Sequence, residues 1–208
     1  MASTRTKSLL VGGAALLLCF AAGALYALGL PPFKDKKGEI KAAEVCRTLG
    51  SSSSSAAALK RVVPDRSDYA FQDAVTDPRR DDMDSTYSAS CFVNGDGKLL
   101  VVVTAEMAQY DEADAWAKDV VEDNRPVSSV RPFSAGDKAI ASDRVAAIYL
   151  PCVARASGPH LSVVAHLKQP GGADDDQLRK GLISLVRNTA LYAHQNAKCD
   201  APSKVTPS

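Results

Sequence analysis

The chain has 208 residues, of which 25 are basic and 24 acidic, so its formal net charge is +1. This balance argues against nucleic-acid binding, because that affinity comes mostly from lysines and arginines that meet phosphates. Once an apolar N-terminal run is set aside, the remaining residues are numerous enough for one domain with its own core.

The N-terminal segment has membrane character. Residues 9–30 form an uncharged apolar run that follows two basic residues. A run of about 20 apolar residues spans the hydrocarbon core as a helix. The pattern therefore predicts a membrane anchor within 1–30 and a linker over 31–38. A cleavable signal peptide is the alternative, with the small residues at 22–24 as its cleavage site.

One cysteine lies within this apolar run. Cys19 follows Leu18, whereas a lipoprotein signal needs a small residue directly before the modified cysteine. Phe20, which follows, does not begin the polar tether that such a signal also needs. Cys19 is therefore interpreted as a small apolar residue of a membrane helix, not as a lipid attachment site.

The other four cysteines, Cys46, Cys91, Cys152 and Cys199, form an even set with no spacing typical of a zinc or thioredoxin-like site. Behind a secretory-type segment, they predict two disulfides in an oxidising compartment. Cys46 and Cys199 each share a stripe of helical period with apolar residues, whereas Cys91 and Cys152 lie in strand-like runs. We therefore expect the pairs Cys46–Cys199 and Cys91–Cys152.

Apolar periodicity and turn residues divide residues 39–200 into helices and strands. Asn94-Gly95 and Ser142-Asp143 are placed at hairpin turns, and a run of serines at 51–55 is expected to interrupt the first helix. The predicted elements, in chain order, are a helix over 38–50, a short helix over 56–63, a polar loop over 65–85, a hairpin around 94–97, a helix over 111–123, a strand over 126–133, a second hairpin over 136–152, a strand over 160–170 and a final helix over 174–199.

These strands are joined largely by hairpins and not by regular helical crossovers. That arrangement predicts an α+β domain over 39–200 with an antiparallel sheet flanked by helices. Three aspartates at 174–176 load the first turn of the last helix with negative charge, which suits the helix dipole. Residues 201–208 are expected to form a flexible tail.

The sequence contains no recognisable catalytic motif, and no catalytic, cofactor-binding or metal-binding residue is predicted. His160 and His166 share one face of a predicted strand but lie about 20 Å apart along it, too far to chelate one metal. Together with His194 they are expected to be surface histidines. Three aspartates lack EF-hand spacing and are expected to form a solvated acidic loop (Asp81, Asp82, Asp84). Four aromatic residues are expected in the core or at its edge, with pocket lining as the alternative (Tyr110, Trp116, Tyr149, Tyr192).

The segment from Phe133 to Cys152, with Gly136-Asp137-Lys138-Ala139 at the start of its hairpin, is followed by a strand and a long helix. In outline over 39–200, this order resembles actinobacterial cell-envelope proteins of unknown function, which include lipoproteins and sensor domains of receptor kinases. The resemblance implies a strongly curved antiparallel sheet and a location outside the cytoplasmic membrane. It carries over no functional residue.

These observations lead to one functional expectation and three alternatives. We expect a single-pass membrane protein, anchored through residues 9–30, whose extracytoplasmic domain binds or senses a small molecule or an envelope protein without catalytic activity. The first alternative is a structural or assembly partner in a cell-envelope complex, which requires an exposed apolar patch of several hundred Å². The second is a protein secreted after signal cleavage. The third is an enzyme with an unrecognised site, which requires a cleft with titratable groups within hydrogen-bond reach.

Overall fold

A computed structural model describes residues 37–76, 86–109, 111–123, 129–155 and 157–207. Gly38–Ser208 forms one structural unit, and the predicted anchor and most of the predicted linker lie outside the described residues. The unit is α+β, as the hairpin pattern predicts. Its elements are a 3-10 helix (Arg47–Leu49), the helices α1 (Ser52–Val62), α2 (Ala113–Asp123) and α3 (Asp175–Asn196), and the strands β1 (Tyr69–Val75), β2 (Ser88–Gly95), β3 (Lys98–Ala108), β4 (Arg131–Pro132), β5 (Lys138–Ala141), β6 (Val145–Pro151) and β7 (His160–Leu167).

The seven strands form one antiparallel sheet in the order β1-β2-β3-β7-β6-β5-β4. Alternation along β2 and β7 sends one set of side chains into a core beneath α1 and α3. Asp174 caps α3 by accepting a hydrogen bond from the backbone N–H of Gln177 at 2.8 Å. The long helix and the sheet thus enclose the main core.

The opposite face of the sheet is only partly covered. The helix α2 packs its buried face, Trp116, Ala117 and Val120, against β5 and β6 and forms a second, smaller core there. In the sequence, helical spacing predicts one apolar stripe along this helix, formed by Ala113, Trp116, Ala117 and Val120, and this stripe is the face that packs. The outer faces of β3 and β7 lie beside α2 and form the groove described below.

The two disulfides join Cys46 to Cys91 and Cys152 to Cys199, so the predicted pairing is wrong although all four cysteines are bonded. Two strands, β3 and β7, separate β2 from β6 in the sheet. Three strand spacings amount to about 14 Å, whereas bridged cysteines have Cα atoms within about 7 Å. Cys199 lies beyond the end of α3, where the backbone of Asp200 donates a hydrogen bond to the carbonyl oxygen of Cys152 at 3.0 Å.

The predicted helix over 38–50 is also wrong, because only its last residues form a 3-10 turn. Asp73 of β1 accepts hydrogen bonds from the backbone N–H groups of Arg47 and Thr48, which ties the segment to the sheet. The serines at 52–55 belong to α1 instead of interrupting a helix. Asn188 of α3 donates hydrogen bonds to two of their hydroxyls, and these tertiary contacts offset the low helix propensity of serine.

Three further expectations need correction. The polar stretch predicted as a loop contains β1, whose sequence reads as polar because an edge strand is largely exposed. The first hairpin turns at Asp96-Gly97, whose φ angles are +49° and +71°, and a bulge at Val93/Asn94 shifts the turn from Asn94-Gly95. Residues 201–207 pack on the domain, with Ala201 and Val205 buried, instead of forming a free tail.

Candidate functional site

A groove with a volume of about 410 Å³ lies between α2 and the outer faces of β3 and β7. The antiparallel register places Val102 opposite His166, Thr104 opposite Val164, and Glu106 opposite Ser162. Because side chains of directly opposed residues lie on the same face, all six project toward the groove. Its lining, here called the α2 groove, comprises Val102, Thr104, Glu106, Trp116, Asp119, Val120, Asp123, Ser162, Val164, His166 and Lys168.

Trp116 connects the groove to the smaller core. Its indole stacks on Tyr149 with ring centroids 5.0 Å apart, and its Nε1–H donates to the Ser162 hydroxyl at 2.9 Å. The Tyr149 hydroxyl in turn accepts a hydrogen bond from the backbone N–H of Asp111 at 2.9 Å, just before α2. A Lys138–Asp114 ion pair at 2.6 Å adds a link between α2 and β5. The helical wall of the groove is therefore held to the sheet by both packing and polar contacts.

The charged groups of the groove are mostly acidic. Glu106, Asp119 and Asp123 contribute three carboxylates, against one ammonium from Lys168. Burial, together with the positive charges of Lys168 and Arg144, lowers the pKa of His166 to about 4. The imidazole is therefore neutral near pH 7, and the lining carries a net charge of −2.

The position of Lys168 also determines which nitrogen of His166 carries the proton. The Lys168 ammonium lies 2.8 Å from Nδ1, and an ammonium has only donors, so Nδ1 accepts. The neutral ring then carries its proton on Nε2. An imidazole with a pKa near 4 is poorly matched to proton transfer at neutral pH. Its Nε2–H, as a fixed hydrogen-bond donor beside carboxylates, suits the recognition of a ligand.

The groove has no arrangement suited to a metal. Across the described part of the chain, no group of three or more histidine, cysteine, aspartate or glutamate side chains is placed to hold an ion. What the groove offers is part of an indole and aliphatic side chains beside carboxylates and hydroxyls. Apolar surface with a few convergent polar groups is typical of a small-molecule site.

The three histidines differ in environment, and the expectation of surface histidines is wrong for His160. That side chain is buried, stacks on Tyr149 at 4.5 Å and places Nδ1 2.8 Å from the carbonyl oxygen of Gly158. The face of β7 that carries His160 is covered because the smaller core lies on this side of the sheet. His166 is partly exposed and lines the groove. His194 is partly buried beside the carbonyl oxygen of Ala201 at 2.7 Å, and burial lowers its pKa.

The aromatic expectation is confirmed for Trp116 and Tyr149, which are both buried. Tyr192 lines a separate cavity together with Gly50 and Asn188. Tyr110 and the acidic residues Asp81, Asp82 and Asp84 lie outside the described residues. The sequence alone does not reveal the acidic residues of the groove, because nothing local indicates that β3 pairs with the distant strand β7.

Comparison of the chain with protein-family models, with curated proteins and with solved structures gives no match in any of the three. Within the described ranges, no helix is both long and apolar enough to cross a bilayer. The apolar run at 9–30 lies outside those ranges. The two disulfides indicate an extracellular or secreted domain, because such bonds persist in oxidising compartments.

Proposed function

We propose that this protein is a non-enzymatic binding or sensing module whose ligand occupies the α2 groove. The observation that carries the proposal is the combination of Trp116 with three carboxylates in one groove beside a neutral His166. The groove walls belong to regular elements, a helix and two paired strands, which favour a preformed site.

The chemistry of the lining points to one class of ligand. Trp116, Val120 and Val164 offer apolar surface, and the net charge of −2 favours a cationic group. A small amphipathic amine satisfies both requirements, with its apolar part on the side of α2 and its ammonium among the carboxylates. A ligand that carries a carboxylate is disfavoured by like charge.

The cellular setting belongs to the same proposal. The disulfides support an extracytoplasmic domain, and the apolar run at 9–30 would display it from a cell membrane in a single pass. Release into the medium after signal cleavage is the alternative. The intact mass of protein from the native host separates the two, because cleavage removes the N-terminal residues.

The assembly-partner alternative requires an apolar docking patch. Among the described residues, Val75 is the one large hydrophobic side chain with substantial exposure, at 37%. A single valine does not form a patch of several hundred Å². The groove is therefore the better-supported recognition surface.

A pair of probes of matched size tests the charge of the ligand. The full chain in a nonionic detergent is titrated with 2-phenylethylamine and with 3-phenylpropionate, and Trp116 fluorescence reports binding. We expect saturable binding of the amine only, because Trp116 is the single tryptophan and lines the groove. Saturable binding of neither probe contradicts the groove proposal, and preference for the carboxylate contradicts its electrostatic part.

Two variants on the same helix locate the site. Asp119→Asn removes a carboxylate that lines the groove, and we expect amine binding to weaken by about threefold, as is typical of an exposed ion pair. Glu122→Gln makes the same change in charge on α2 outside the groove and is expected to bind as the wild type does. Equal effects of the two substitutions would place the ligand elsewhere.

A further inference from the structure

A second cavity, of about 500 Å³, lies between the segment that leads into β5, the helix α3 and the C-terminal residues. It is separate from the α2 groove and shares no lining residue with it. The lining of this cavity, here called the Arg187 pocket, comprises Pro132, Phe133, Ser134, Ala135, Gly136, Asp137, Lys138, Ala139, Arg187, Lys204 and Thr206. It contains three cationic side chains and one carboxylate, so the lining has a net charge of +2. This charge is opposite in sign to that of the α2 groove.

The single carboxylate of the Arg187 pocket is already engaged. One oxygen of Asp137 accepts a hydrogen bond from the Lys204 ammonium at 2.7 Å, and the other lies 3.3 Å from Nε2 of His160. Lys138 directs its ammonium to Asp114 of α2 at 2.6 Å. Two of the three cations therefore have a carboxylate partner.

Arg187 is the exception. Its terminal nitrogen donates to the carbonyl oxygen of Ser134 at 3.1 Å, and its guanidinium carbon lies 5.6 Å from the centroid of the Phe133 ring. Its Nε is buried and has no hydrogen-bond partner among the described residues. Within that part of the chain no carboxylate lies at ion-pair distance from the guanidinium, so its partners are a neutral carbonyl and a neutral ring.

The backbone of the pocket is held in place. Gly136 has φ of +56° and donates its N–H to the carbonyl oxygen of Lys204 at 3.1 Å. Asp137 donates its N–H to the carbonyl oxygen of Tyr149 at 2.8 Å. These contacts fix the cationic residues of two separate segments around one cavity before any ligand binds, which lowers the cost of binding.

We propose that the Arg187 pocket binds the oxyanion of a small molecule, a carboxylate or a phosphate group. The guanidinium offers planar, directed donors that match either oxyanion, and a guanidinium with no acidic partner at a cavity wall gains the missing charge partner when such a ligand binds. Lys204 supplies the second cation. The cavity volume exceeds that of the oxyanion alone and accommodates the rest of a small molecule. This site does not depend on the function of the α2 groove.

The resonance of the Arg187 Nε–H group is a direct probe. The full chain, labelled with nitrogen-15 and kept in a nonionic detergent and a phosphate-free buffer, is titrated separately with inorganic phosphate and with succinate. The Nε–H signal is assigned by its loss in Arg187→Lys. We expect it to shift saturably with a Kd of roughly 1 mM for at least one probe, while sodium chloride at equal ionic strength gives no saturable shift.

Variants then test the assignment. Arg187→Gln is expected to weaken binding at least tenfold, and Lys204→Gln by about threefold, because Lys204 is more exposed and stays partly occupied by Asp137. Lys98→Gln removes an exposed cation in the first hairpin and is expected to have no effect. If Arg187→Gln fails to fold, Lys204→Gln and the Nε–H shift of the wild type still decide the matter.

Each result of this experiment bears on the proposal. Binding of phosphate alone, or of succinate alone, supports it and identifies the oxyanion class. The absence of a saturable shift with both probes overturns it. Equal affinities in Lys204→Gln, Arg187→Gln and Lys98→Gln overturn it too, because binding would then not involve the pocket.

Discussion

His166 gives the protein a pH-dependent stability whose sign and size follow from the structure. Its pKa is lowered from 6.5 to about 4 in the folded protein, first by burial and then by the charges of Lys168 and Arg144. Between these values the unfolded chain binds a proton that the folded chain does not, so falling pH favours unfolding. This destabilisation of the folded protein is absent above about pH 7 and complete below about pH 4.

The size of the effect follows from the gap between the two pKa values. Without any solvent screening, a difference of about 2.5 between the two pKa values corresponds to about 3 kcal/mol of unfolding free energy. Because the side chain is partly exposed to solvent, we expect a loss of about 2 kcal/mol between about pH 7.5 and 4.5. His166→Gln stays neutral and can still accept a hydrogen bond from Lys168, so its unfolding free energy should fall by about 2 kcal/mol less over this range.

Urea unfolding followed by Trp116 fluorescence measures this difference, because the indole is buried in the native state. Proton NMR of the three histidine rings supplies the independent check. The resonance that disappears in His166→Gln should titrate near pH 4. If that resonance titrates near 6.5, or if wild type and variant lose equal stability, the reasoning about burial and Lys168 is wrong.

The remaining predictions concern backbone and covalent constraints, and urea unfolding measures each. Gly136→Ala should destabilise the protein by about 2–3 kcal/mol, because its φ is +56° and the new Cβ would lie close to a main-chain carbonyl oxygen. Gly97→Ala, with φ of +71° and open space around its Cβ, should lose only about 1 kcal/mol. Joint replacement of Cys46 and Cys91 by alanine should cost about 4 kcal/mol in the chain-entropy relation and leave the other disulfide intact. Asp174→Ala should cost about 1 kcal/mol by removing the cap of α3. The backbone prediction is contradicted if Gly136→Ala costs no more than Gly97→Ala. The disulfide prediction is contradicted if new thiols appear in the cysteine variant, and the capping prediction if Asp174→Ala leaves the urea midpoint unchanged.

Local patterns predicted the elements whose signals lie within a few residues. The apolar stripe of α2, the acidic first turn of α3 and the turn at Ser142-Asp143 all depend on short-range spacing, and the structure confirms them. The antiparallel arrangement followed from the hairpins for the same reason. These features required no knowledge of which elements meet in space.

The errors concern long-range contacts. The apolar pattern around each cysteine indicates the face of the helix or strand on which it lies. The strand order determines which other cysteine is close enough to pair with it. β1 lacks an apolar pattern because it is an edge strand with most of its side chains exposed. The alternation of polar and apolar residues along β7 predicts an exposed face that includes His160. It gives no indication that a second core covers part of that face.

The candidate sites depend on the same long-range contacts. The α2 groove requires β3 and β7 to be neighbours although about 60 residues separate them in sequence. The Arg187 pocket brings α3, the segment before β5 and the C-terminal residues together. No residue spacing in the sequence relates these segments, so composition and motif searches could not reveal either cavity.

Mapping the disulfides of unreduced protein from its native host tests the account most directly, because both the location outside the cytoplasm and the cross-linked fold of the domain include two oxidised cysteine pairs. After proteolysis, mass spectrometry should find the peptide of Cys46 linked to that of Cys91, and the peptide of Cys152 linked to that of Cys199. Free thiols at these four positions, or a link between Cys46 and Cys199, would contradict it.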